Sequence, residues 1–222
     1  MTRPNRAHAD PITPGSARAR RLLRTAMTAT VFATLAGGAA TASAQPPGPA
    51  PVARLDLDRY LGTWYQLAAV PQYFNLVCAR DTRAEYALKP DNDVAVRNTC
   101  TTWSGGANTI DGTARLNDPD TMAQFHVSFP GVPTQERPDG PINYIVTALG
   151  EDYVWALVTD PSGASGFVLS RTPALDAAQW DRIHAAITAA GQDDCRYLVS
   201  PTTGGLPDPA PLCGLRVTRA LR

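Results

Sequence analysis

The residues of this chain that could carry chemistry are few. Four cysteines, Cys78, Cys100, Cys195 and Cys213, fit no zinc spacing, and His8, His126 and His184 are the only histidines that could join them. Ser170 stands beside Arg171, but no Gly-x-Ser-x-Gly elbow surrounds it or any other serine. His126 falls on the polar side of an alternating segment and reads as a solvated surface histidine. His184 falls on the apolar face of a helix and reads as a hydrogen-bonded histidine against the core. Asp118 and Asp120 flank Pro119, and Glu151-Asp152 follows Gly150; turn chemistry accounts for both pairs. There is no phosphate loop, metal cluster or nucleic-acid motif. Twenty basic and twenty acidic side chains cancel, which excludes a basic nucleic-acid binder on global electrostatics. The chain therefore reads as a non-enzyme without a cofactor. An enzymatic alternative would rest on Tyr86 and Tyr144, activated by a lowered pKa inside a cavity.

The elements that position these residues begin with a segment to be removed. Arg18, Arg20, Arg21 and Arg24 precede an uncharged run over 26–41, and Ala42-Ser43-Ala44 offers a cleavage pattern. Residues 1–44 thus read as a secretory signal peptide, too short and too weakly apolar in its core to span a membrane. Arg20-Arg21 leaves Sec and twin-arginine export both open. Cleavage near Ala44 would leave 14 basic and 19 acidic side chains, net −5. The expected location is secreted or in the cell envelope. No cysteine stands directly after the cleavage site, so no stable membrane anchor is expected. Export puts the cysteines in an oxidising compartment, and their even number then implies two disulfides. Three connectivities are open. Cys78 with Cys100 is favoured because the two flank a predicted hairpin, which leaves Cys195 with Cys213; a rival pairing joins Cys78 to Cys195. Each bond is worth around 3 kcal/mol through the unfolded state.

Residues 45–53 read as a mobile Pro/Ala/Gly linker. Turn signals then cut the chain into eight short strands: Thr63–Val70, Arg83–Leu88, Val94–Cys100, Thr109–Leu116, Ala123–Phe129, Ile142–Leu149, Tyr153–Thr159 and Gly166–Arg171. Phe125, Val127 and Phe129 alternate with Gln124, His126 and Ser128. One helix follows, with Asp176 and Gln179 as its capping box, Leu175 and Trp180 as a staple, and Gly191 as its stop. Trp180, Ile183, His184 and Ile187 share a face, which must lie on the outside of the sheet. Residues 54–200 form the domain, and 201–222 form a tail held by Cys213. The fold class is all-β: an eight-stranded antiparallel up-and-down barrel with one C-terminal helix packed outside. Closure removes the exposed edges, and eight strands leave room for one small ligand.

Gly62-Thr63-Trp64-Tyr65 resembles the lipocalin G-x-W signature. Phe167-Val168-Leu169-Ser170-Arg171-Thr172-Pro173 resembles the third lipocalin block, and Asn143–Val158 the region of the second, with Glu151-Asp152-Tyr153 where Thr-Asp-Tyr is usual. Strands, blocks and trailing helix together are most similar to the branch of the bacterial outer-membrane lipocalin and apolipoprotein D, over about residues 55–200. The resemblance implies that Gly62, Trp64 and Arg171 close one end of the barrel, Arg171 stacking on the indole for about 1–2 kcal/mol. It also implies a fatty-acid or lysophospholipid ligand, sequestered or carried in the cavity; the protein is expected to be a monomer or weak dimer. Strand phase puts Tyr86, Val96, Asn98, Phe125, Val127, Tyr144, Val146, Phe167 and Leu169 on the cavity wall. The ligand's polar head is expected at the open mouth. A further alternative is an envelope interaction module, for which an apolar patch near Tyr73-Phe74 would speak.

Overall fold

A computed structural model of the protein describes residues 48–215. The expected signal peptide over 1–44, residues 45–47 of the expected linker and residues 216–222 of the expected tail lie outside the described residues.

A one-turn helix, α1 (Leu57–Tyr60), leads into β1 (Gly62–Ala69). Then come β2 (Cys78–Leu88), β3 (Val94–Thr102), β4 (Ala107–Leu116), β5 (Gln124–Ser128), β6 (Tyr144–Leu149), β7 (Trp155–Thr159) and β8 (Gly166–Ser170). Each strand pairs antiparallel with the next, and β1 pairs with both β8 and β2, so the sheet closes. This is the expected eight-stranded up-and-down barrel. The seam between β1 and β2 holds only from Gly62↔Tyr86 to Tyr65↔Arg83. Beyond it β2 is bulged, with Asp81 at φ +56, and β9 (Leu198–Val199) takes its place beside Ala68 and Ala69. The tail thus patches the seam: Asp81 accepts from the Thr203 backbone and hydroxyl, and its own N–H donates to the Pro201 carbonyl. Those bulges blur the alternation of β2, and the strand starts five residues earlier than the pattern suggests.

The weakest seam is β5–β6, where only Gln124↔Ile145 and Phe125↔Tyr144 pair. A side chain extends it. The Asn143 amide accepts from the Val127 N–H at 2.7 Å and donates to the Val127 carbonyl at 2.9 Å, standing in for one more strand residue.

Two apolar clusters flank the sheet. The inner one gathers Leu55, Tyr60, Trp64, Val94, Val96, Phe125, Val146 and Leu169 inside the barrel. The outer one packs α2 (Ala177–Ala189) on the sheet through Trp180, Ile183 and Ile187, against Leu67, Trp155, Leu157 and Val168. The helix starts where its capping box requires: Asp176 accepts from the Gln179 N–H at 2.8 Å, and Gln179 accepts from the Asp176 N–H at 3.3 Å. Gly191, at φ +74, turns the chain away after its end. Cys78 is bonded to Cys100 and Cys195 to Cys213. The second bond holds the tail so that Leu212 is buried in the outer cluster.

The linker expectation needs correction at its C-terminal end. The Val52 N–H donates to the Val146 carbonyl, the Leu55 N–H donates to the Thr121 carbonyl, and both side chains pack on the inner cluster. Val52 is the one branched apolar residue in a Pro/Ala/Gly stretch, and it gives the chain something to bury.

Candidate ligand-binding site

The barrel encloses a cavity of about 650 Å³. Its depth is set by how the closed end is built. Arg171, at the end of β8, lies over the Trp64 ring with its guanidinium carbon 3.7 Å from the centroid. Two of its donors go to backbone: one N–H donates to the Thr63 carbonyl at 2.8 Å, another to the Arg59 carbonyl at 2.6 Å. The indole N–H of Trp64 donates to the Tyr60 carbonyl at 2.8 Å, and Trp64 has no exposed surface. Gly62 takes φ +91 beside the Arg171 guanidinium, a conformation that L side chains rarely adopt. Trp64 and Arg171 therefore form a stopper whose polar groups are turned to the backbone.

Eight of the nine wall residues read from strand phase border the cavity: Tyr86, Val96, Asn98, Phe125, Val127, Tyr144, Phe167 and Leu169. Val146 does not. It is fully buried in the inner cluster with Leu55 and Trp64, below the cavity floor. Strand phase gives a face, not a height along the barrel, and Val146 sits on the inner face at the plugged end. The phase rule also covers Ala84, Val94 and Ala114, which border the cavity too. Tyr60 is not legible in this way, because it precedes β1 and arrives through the turn of α1. Asp56 caps that turn by accepting from the Arg59 N–H at 3.2 Å.

The floor is aromatic and carries three hydroxyls. Tyr60 is 5.0 Å from Trp64 and stacks on Tyr86 at 5.7 Å; Tyr144 meets Tyr86 and Phe125 edge to face. The Tyr144 hydroxyl lies 2.7 Å from that of Tyr60 and 3.1 Å from that of Tyr86. Burial pushes all three phenols up, Tyr86 to about 12. An activated tyrosine base needs the opposite shift.

At the other end the mouth is ringed by loops. The 3-10 turn Tyr73–Val77 joins β1 to β2. Tyr73, Phe74 and Val77 border the cavity and are also exposed, with Leu76 and Trp103 exposed at 74% each. The Trp103 indole N–H donates to the Leu76 carbonyl at 2.8 Å, tying the β3–β4 turn to this loop above the Cys78–Cys100 bond. The apolar patch near Tyr73-Phe74 is thus present at the entrance. Phe129, Val132 and Gln135, from the long loop after β5, complete the rim.

His126 departs from expectation. It is 6% exposed, with Nδ1 2.7 Å from the Pro141 carbonyl and Nε2 2.9 Å from the Arg137 carbonyl. The long loop folds back over the outer face of β5, and Gly140 leaves room for the ring where a Cβ would collide with it. His184 is buried at the helix–barrel contact, 2.7 Å from an Asp194 carboxylate oxygen. Ser170 has no exposed surface. Asp118 is the hub of its turn: Thr121, Gln124 and nearby backbone N–H groups donate to it and hold its carboxyl down at about 2. Asp194, Cys195 and Cys213 are near one another, but both sulfurs are in the disulfide.

Comparisons with known proteins agree with this architecture. The family model for the lipocalin-like domain matches residues 55–201. Temperature-induced lipocalin-1 of Arabidopsis thaliana is 32% identical over 158 residues, 69% of this chain and 83% of that protein. The outer membrane lipoprotein Blc of Escherichia coli K12 is 31% identical over 163 residues, 72% of this chain and 86% of that protein. Among solved structures, insecticyanin of the tobacco hornworm Manduca sexta superposes with a TM-score of 0.54 at 19% identity, covering 74% of this chain and 94% of that one. Apocrustacyanin C2 gives 0.52 at 15% identity, covering 67% and 80%. At such identities these two structures speak for the fold alone.

Proposed function

The chain belongs to the lipocalin family, and from that premise we propose that it is an exported binding protein that sequesters or carries one small hydrophobic molecule in its barrel. The observation that carries this is the cavity itself: about 650 Å³, walled by Val96, Phe125, Val127, Phe167 and Leu169, open at one end and stoppered at the other. That volume lies in the range of small-molecule pockets. The ligand class this reading assigns is a fatty acid or lysophospholipid. Moving 200–300 Å² of acyl chain out of water at ~25 cal/mol/Å² supplies about 5–8 kcal/mol before the costs of association. Similarity to an outer membrane lipoprotein supports an envelope or secreted location. The cleavage pattern at Ala42-Ser43-Ala44 supports export.

The test is native mass spectrometry of the protein purified from its own host, with solvent extraction of whatever it holds. The expected result is one acyl lipid per chain and a mature N-terminus near Gln45. Failure of the purified protein to bind any fluorescent acyl probe saturably would overturn the reading.

The apolar rim favours a second reading, in which the mouth docks on a lipid surface. Tyr73 and Phe74 belong to both the cavity and the outer surface, so apolar surface runs unbroken from rim to interior. Sedimentation with phosphatidylcholine vesicles tests it: co-sedimentation is expected, and its absence rejects docking.

A further inference from the structure

The cavity floor carries one more proton than its hydroxyls can use among themselves. Three phenol hydroxyls meet there, each with one proton. Only two oxygen–oxygen contacts join them, Tyr60 to Tyr144 at 2.7 Å and Tyr86 to Tyr144 at 3.1 Å. Each contact consumes one proton, whichever oxygen donates. One O–H is therefore left without an acceptor within the cluster, in a place where a lost hydrogen bond is costly. Tyr60 is 3% exposed, and Tyr86 and Tyr144 keep part of their surface, all three bordering the cavity. The three residues that share the spare donor thus all line the space a ligand would fill. Arg171 does not compete for that ligand, because it lies over the Trp64 ring and donates to two backbone carbonyls.

We propose that the Tyr60–Tyr144–Tyr86 hydroxyls form a donor site on the cavity floor that selects an amphiphile entering oxygen end first, its carbonyl or carboxyl oxygen accepting the unused phenol proton. This rests on the binding-protein reading and reverses the orientation expected from sequence, in which the polar head stays at the mouth. The apolar tail then lies along Val96, Phe125 and Phe167 toward the rim, where Tyr73 and Phe74 continue the apolar surface. The three phenols bring no positive charge to the floor, so an uncharged acceptor, such as the carbonyl of a ketone, an ester or a protonated acid, enters without burying an unpaired charge.

The test compares 2-dodecanone with dodecane as competitors for a bound fluorescent acyl probe. The ketone is expected to displace the probe about 10-fold more effectively, the scale of one good hydrogen bond. Two variants then separate the donor site from mere packing. Tyr144→Phe removes the bridging oxygen and frees both remaining hydroxyls, so the ketone preference persists or grows. The triple variant Tyr60→Phe, Tyr86→Phe, Tyr144→Phe keeps every ring and loses every donor, so the preference disappears while dodecane still binds. The infrared carbonyl band of bound ketone is expected at lower frequency in the unmodified protein than in the triple variant. Equal binding of ketone and dodecane to the unmodified protein, with no band shift, would overturn this site and leave the binding reading standing. If no apolar probe binds at all, both fall.

Discussion

The two ends of this barrel use the same kinds of residue to opposite purposes. At the closed end Trp64 is wholly buried, its N–H is bonded, and Arg171 covers its face. At the open end Trp103 is 74% exposed, yet its N–H is also bonded, to the Leu76 carbonyl. Both indoles are held in place, but one stabilises the fold by burial and the other leaves its ring in water. A fold that minimised exposed apolar surface would not arrange the mouth this way. The closed end carries stability. The open end leaves apolar surface exposed.

The sharpest way to break that contrast is at the stopper. Trp64→Ala removes a fully buried indole and leaves Arg171 over a void, and is expected to cost about 4 kcal/mol in chemical denaturation. A loss below about 1 kcal/mol would mean that the closed end is not where stability resides. At the mouth the strongest restraint is covalent. Replacing Cys78 and Cys100 together by serine opens a loop of sequence separation 22 and is expected to cost about 3 kcal/mol, through the unfolded chain. The same pair of changes should loosen the loop Tyr73–Val77, seen as faster amide exchange there than in β7.

How much of this contrast is legible in the sequence depends on what specifies each part. The stopper is legible because Gly62 and Trp64 in one block and Arg171 in another stand at strand ends within recognisable motifs. The wall is legible because a strand has a period of two, which puts Phe125 and Val127 on one face. Height along the barrel has no such period, so phase alone places Val146 on the wall although it lies under the floor. Tyr60 enters from outside the alternating segments, and the hydroxyl cluster it completes has no signature in spacing. His126 escapes for a related reason. Alternation correctly places it outside the barrel, but a loop more than ten residues downstream covers it, and nothing in β5 records that cover. The return of the chain as β9, ahead of the tail, is likewise a long-range pairing, carried by two residues.

Alkaline titration probes the floor. Burial raises Tyr86 to about 12 from an ordinary 10. Below pH 10 the phenol is protonated in folded and unfolded chains alike, and its contribution is fully present. Between pH 10 and 12 the unfolded chain loses its proton while the folded chain keeps it, so the Tyr86 contribution to stability falls by at most about 3 kcal/mol and levels off above its folded value, while Tyr60, Tyr144 and Tyr197, raised by burial too, add their own losses. Denaturation midpoints from pH 9 to 12, beside phenolate absorbance, check this. The slope is expected to flatten in Tyr86→Phe, and an unchanged slope would remove the floor tyrosine from the account.

The smallest stability effect is expected at an exposed apolar side chain of the rim, and there its smallness is informative. Leu76→Ser changes a residue that is 74% exposed and whose carbonyl, not its side chain, holds Trp103. Stability should move by no more than about 0.5 kcal/mol, because little apolar surface is returned to water. If the rim docks on a lipid surface, the same substitution should weaken co-sedimentation with vesicles several-fold while probe affinity in the cavity stays constant. A variant that lost stability instead would show that Leu76 is packed in solution, and the two ends of the barrel would then differ less than their exposure suggests.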